Sequence, residues 1–135
     1  MEPSLELQKA VRGKLVAASA LVALVPAKSI RDASGLPVLY PSILIGEGQT
    51  VAGNDIARRT HEAYLDLHIW TEEPGLVTSK QIAGAIRAAL IDAIWSIPGL
   101  HVADLRIASS RFLRDPDGRH SHGVISINAW VKEVA

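Results

Sequence analysis

Between Thr60 and Trp95 the hydrophobic period of the chain changes from two residues to about 3.6. The first part, 61–70, alternates. Leu65, Leu67 and Ile69 point to one side, and Tyr64, Asp66, His68 and Trp70 point to the other, as in a β-strand. A turn at 71–75 holds Pro74 and Gly75. From Leu76 to about Trp95, Ile82, Ile86, Ala89, Leu90, Ala93 and Ile94 then share one apolar face of a predicted helix. Such a helix is stable only when that face is covered, and the Leu65/Leu67/Ile69 side of the strand is the nearest cover. The rest of the chain must extend this sheet or lay a second helix beside the first.

In chain order, a helix is predicted over 3–25. Pro3 suits its first turn, Glu6 sits near the positive end of its dipole, and Pro26 stops it. Leu7, Val11, Leu15, Ala18, Val22 and Val25 form its stripe, from which Val16, Ala20 and Leu24 stray. Residues 27–41 read as a connector with a short extended piece at Ile30, punctuated by Gly35, Pro37 and Pro41. The apolar run 42–46 predicts a central strand buried on both faces. The stretch 46–60, with Gly48, Gly53, Arg58 and Arg59, reads as a glycine-rich flexible arm that orders against a partner. After a break at 96–99 comes a hairpin. Its first strand places Ala103, Leu105, Ile107 and Ser109 against Asp104, Arg106, Ala108 and Ser110, and 114–118 is the turn. The return strand, 123–133, places Ile125, Ile127, Ala129 and Val131 against Ser126, Asn128, Trp130 and Lys132. The order α-β-β-α-β-β predicts one α+β domain over 1–135. Two helices pack on one face of a mainly antiparallel sheet of four to five strands.

Composition narrows the function classes. The chain has 135 residues, 48% hydrophobic and 21% charged, with 14 basic residues balancing 14 acidic ones. That balance gives no whole-chain attraction to nucleic acid or to membranes. No cysteine is present, which excludes a disulfide framework, a thiolate metal site and a thiol nucleophile. The start lacks a basic leader segment, and no apolar run reaches the roughly 18 to 20 residues of a membrane span. The expectation is a soluble chain of cytosolic origin with no membrane partner.

A search for chemistry finds no catalytic, cofactor or metal set. His61, His68, His101, His120 and His122 are scattered, and His120/His122 is the nearest thing to a ligand pair, without a third ligand in view. Asp66 and His68 share a strand face but no nucleophile accompanies them. Glu72 and Glu73 precede a helix, where acids serve as caps. Ser109-Ser110 lacks a nucleophile-elbow context, and Gly46-x-Gly48 lacks the third glycine and the helix of a phosphate loop. No enzyme is expected.

Two surpluses remain. The second face of the sheet carries Tyr64, His68, Trp70, Arg106 and Trp130, and the far side of the second helix carries Ile91 and Trp95, with Gly84 in its interior. Large aromatics on a solvated face mark interfaces, unless a loop such as 27–41 covers them. A glycine inside a helix suggests close approach by another backbone, or is merely tolerated. These seven large residues are the candidate subunit or partner interface, and a homo-oligomer accounts for both surpluses.

The chain also resembles the tail-completion, or tail-terminator, family of long-tailed bacteriophages and gene transfer agents. The matching features run along nearly its whole length: Leu5-x-x-x-Lys-Ala-Val11, Ile30-Arg-Asp32, 39–46, Leu67-His-Ile-Trp70, the helix 82–90, the turn 114–118 and the strand start 123–127. The resemblance implies a virion structural protein. It would form a hexameric ring that ends the tail tube, contact the tube protein and a head-side neck protein, and let DNA pass through its hole. The alternatives are another head–tail connector or a small-ligand-binding regulatory domain.

Overall fold

Pro3 opens the first helix, α1 (Pro3–Ala17), where a missing N–H costs nothing, and the Glu2 carboxylate caps it by accepting from the Ser4 N–H at 2.9 Å. The computed structural model describes residues 1–134. Within them follow α2 (Ser19–Val22), a 3-10 turn at Ala27–Ser29, β1 (Ile30–Asp32), β2 (Ser42–Ala52), β3 (Thr60–Thr71), α3 (Val77–Leu90), β4 (Leu100–Arg114) and β5 (Ser121–Glu133). The sheet runs β1-β2-β3-β5-β4, with β1 parallel to β2 and every other pair antiparallel. This is the expected α+β class, with one parallel pair at its edge.

The core lies between one sheet face and the helices. Leu7, Val11 and Leu15 of α1 and Ile82, Ile86 and Leu90 of α3 meet Leu65, Leu67 and Ile69 of β3 and Ile125, Ile127 and Ala129 of β5. Burying each of the larger side chains contributes roughly 1.5–3 kcal/mol. Glu73 caps α3, accepting from the Thr78 N–H at 2.7 Å and from its hydroxyl at 2.9 Å. Gly123 lets α3 close on the sheet: a Cβ there would lie 3.3 Å from Ile69 and from the Ser79 Oγ.

Four local expectations are corrected. The helix predicted over 3–25 breaks at Ala18, whose backbone is extended (φ −83, ψ 105). A straight helix would carry Leu21 off the Leu7/Val11/Leu15 stripe; the break turns Leu21 into the core, where it is fully buried like Val25. The second long helix ends at Leu90 rather than near Trp95. Ile94, placed on its apolar face by helical extrapolation, is therefore 85% exposed, while Trp95 packs back on the core beneath the Lys14 ammonium. Next, residues 46–52 are strand, not arm. Gly48 to Ala52 pair with Leu65 to His61, across a bulge at Gly46–Glu47. Glycine hid the strand and also permits it, since a Cβ on Gly48 would sit 3.2 Å from the Tyr64 carbonyl oxygen. Finally, β4 bulges between Val102 and Asp104 and again between Ile107 and Ser109. Each bulge shifts the alternation, so Val102, Leu105, Ile107 and Phe112 turn toward the core and Ala103 and Ser109 do not.

Candidate functional site

The sheet face away from the helices has two unlike ends. At one end Trp70 stacks on His122, ring centroids 4.1 Å apart and planes 7° from parallel, and His68 stacks on the same imidazole at 5.0 Å. The register produces this group, because Trp70 is the cross-strand partner of His122 and His68 lies two residues before it. His68 Nδ1 is 2.8 Å from His122 Nε2, and His68 Nε2 is 3.0 Å from the Glu47 carboxylate. Glu47 accepts from His68 Nε2–H, which leaves Nδ1 of a neutral His68 to accept from His122 Nε2–H. The Glu47 carboxyl is held below its ordinary range by that bond to His68. Gly46 makes room for the arrangement: a Cβ there would fall 2.4 Å from the His68 ring.

Connector residues 33–36 overhang this group and form a cleft of about 770 Å³ with Leu44, Trp70 and the two histidines. Trp70, stacked on His122, is 9% exposed.

Burial pushes the His122 imidazole below the ordinary value of 6.5, helped by the facing His68 and opposed by Asp115 and Glu47. A histidine kept neutral in the fold takes its proton more readily when unfolded. Its contribution to stability is therefore complete above pH 6.5, shrinks as pH falls through that value, and is lost below the folded-state value. Thermal melts between pH 7.5 and 5 should show stability falling with acid, and His122→Gln should flatten the slope over that interval. An unchanged slope in the variant would assign the acid sensitivity elsewhere.

The other end is open. Tyr64 is 38% exposed and Trp130 46%. Trp130 lies between its cross-strand partners Glu62 and Asp104, and Arg106 is opposite Asn128. Glu62 accepts from the Tyr64 hydroxyl and from Asn128 Nδ2, the latter at 3.2 Å, which fixes the phenol ring. The carboxylate beside it pushes the Tyr64 hydroxyl pKa up. The patch is two large exposed rings, of which Tyr64 is held by the Glu62 carboxylate. On the helical side, Val77, Ile91 and Ile94 are exposed, and a Cβ on Gly84 would meet nothing within 4 Å. Among the described residues, no backbone outside its own helix lies within 4 Å of that position.

Of the seven candidate interface residues, Tyr64, Arg106 and Trp130 thus share the open end of the sheet. His68 and Trp70 line the cleft, Ile91 lies exposed just past the end of α3, and Trp95 is half-buried. The arm narrows to 53–59, a turn built on Asp55. Its carboxylate accepts from the Arg59 N–H at 2.9 Å, the Thr60 N–H at 3.1 Å and the Thr60 hydroxyl, which holds its pKa far below the carboxylate range. Gly53 belongs to this turn, whereas Gly48 is in β2.

The weaker motifs resolve into structure. His120 and His122 go to different partners, His120 stacking on Tyr40 and bonding Asp117 at 2.5 Å. Asp115, Asp117 and His120 cluster at the hairpin turn, but the Asp117 carboxylate accepts from the Arg119 and His120 N–H groups, which set its pKa at about 2. Asp66 pairs across to Ser126 rather than serving His68. Gly46-x-Gly48 lies in β2 and Ser109-Ser110 in β4. Glu47 and His122 were missed as partners of His68. Their meeting depends on β5 lying beside β3 and on the bulge in β2, neither of which has a local sequence signal. Among the described residues, no helix is long and apolar enough to cross a membrane.

Residues 9–132 match a family model described as tail completion protein gp17. No curated protein sequence matches the chain significantly. Among solved structures, the chain is similar to one in the virion of a native gene transfer agent particle, with a TM-score of 0.82 at 22% identity, over 93% of this chain and 94% of that one. It is also similar to the gp17 protein of bacteriophage SPP1, with a TM-score of 0.62 at 20% identity, over 98% and 91% of the two chains.

Proposed function

Because this chain belongs to the tail completion protein gp17 family, we propose that it is a structural protein of a phage or phage-like particle, built into its tail as a hexameric ring. The ring ends the tail tube, presents its other side to a head-side neck protein, and leaves a hole through which DNA passes. The observation that carries this reading is the family match together with two exposed apolar surfaces on different sides of the subunit. One is Tyr64/Trp130 on the sheet, and the other is Val77/Ile91/Ile94 along and beyond α3. A cyclic ring needs two unlike patches, because each subunit meets the next through a different surface from the one it offers behind. Similarity to a chain of a gene transfer agent virion supports the setting. The zero net charge supports a hole that does not hold DNA by its phosphates.

Two measurements test the reading. Sedimentation should give a single species near six times the 14.5 kDa subunit mass. Added to tube protein from the same particle during polymerisation, the purified chain should stop elongation and remain at one end of each tube. Tubes that grow on unaffected would overturn the assignment.

A further inference from the structure

We infer that the 53–59 turn of one copy seats in the cleft between the 33–36 connector and the sheet of a second copy. The inference rests on the ring reading and names one of its contacts.

The turn is a rigid knob with an apolar tip. Asp55 ties it internally, the Gly53 N–H reaches the Thr60 carbonyl at 2.9 Å, and the Glu133 N–H reaches the Arg59 carbonyl at 2.8 Å. Ile56 nevertheless stands 98% exposed at the tip, with Arg58 and Arg59 exposed beside it. An apolar side chain displayed by a preorganised turn loses little entropy when a partner covers it. Since the Asp55 carboxylate is turned inward onto backbone N–H groups, the outward charge of the knob is basic.

The cleft is the matching shape and charge. Its floor and wall are Leu44, Trp70 and Leu36, and Asp32 and Glu47 stand among its lining residues. Leu36 is 68% exposed within its own chain, so the apolar wall is incomplete. The knob and the cleft lie at opposite ends of β2, and an Ile56 this exposed does not fill the cleft of its own chain. A second copy brings the isoleucine against Leu36 and Trp70 and the arginines toward Asp32 and Glu47. The contact is heterologous, knob to cleft, and can repeat around a ring.

Because the chain has no cysteine, Ile56→Cys and Leu36→Cys each introduce a single thiol at an exposed position. The two variants are co-expressed, one with a size tag, oxidised mildly, and compared with each expressed alone. The expected result is a mixed disulfide dimer well above either like-with-like dimer. Adding Arg58→Glu to the Ile56→Cys chain should lower its yield by up to about fivefold, the upper end for an exposed ion pair. Pairing that chain with Leu36→Cys carrying Asp32→Lys should restore it. Equal like-with-like dimers, or no mixed dimer, overturn the inference. Sedimentation of the unmodified chain separates the two claims. An oligomer without the mixed disulfide sinks the seating and leaves the ring, while a monomer without it sinks both.

Discussion

Trp130→Lys is expected to leave a folded subunit that no longer assembles. The indole is 46% exposed, lies outside the core cluster, and has Glu62 and Asp104 as its cross-strand partners. An ammonium between two carboxylates suits the isolated subunit. Opposite charges across strands contribute roughly 0.2–1 kcal/mol, so the melting temperature should change little. In an interface the same substitution removes a large rigid anchor and buries a charge. Truncating a tryptophan hot spot costs about 2 kcal/mol or more per contact, roughly thirtyfold in affinity. Light scattering should therefore report subunits under conditions where the unmodified chain is expected to give rings, with an unchanged far-ultraviolet spectrum. Assembly that survives would remove this face from the subunit contact. Trp70 makes the contrast, because it is nearly buried and its ring is stacked on His122. A charged residue there should disturb the fold first.

The contrast between the two tryptophans marks how far the sequence could be read. Alternation in 61–70 and 123–133 placed both on the same sheet face, and the structure agrees. Alternation is a property of neighbouring residues and needs no knowledge of the partner strand. The cleft beside Trp70 depends instead on where residues 33–36 fall, which follows the parallel pairing of β1 with β2. The same limit explains the errors. Residues 46–49 lack strand-forming side chains, yet the segment through Ala52 pairs with β3, because Gly48 lets the backbones approach. In β4 the two bulges leave no local mark, so strict alternation assigned Ala103 and Ser109 to the wrong face. The knob at Ile56 went unread for another reason. An exposed isoleucine and a buried one look alike until the Asp55 turn is seen to lift it out.

The long helix offers the sharpest separation of folding from assembly. Ile86→Ala is expected to cost the subunit about 2–5 kcal/mol, because the side chain is fully buried between α1 and the sheet and the void cannot collapse without moving both. Against a net stability of roughly 5–15 kcal/mol, that is a melting point lower by on the order of 10 °C. Calorimetry of the subunit checks it, and a loss under 1 kcal/mol would mean that α3 is not held on the core as described. Two residues away, Gly84 faces outward with open space where a Cβ would go. Gly84→Ala should therefore stabilise the isolated helix by about 0.5–1 kcal/mol. If a neighbouring subunit lies against α3 there, the added methyl stands in its way, and the same variant will melt later but assemble less. A gain in both would leave Gly84 a tolerated glycine and confine the helical contact to Ile91 and Ile94, beyond the end of α3.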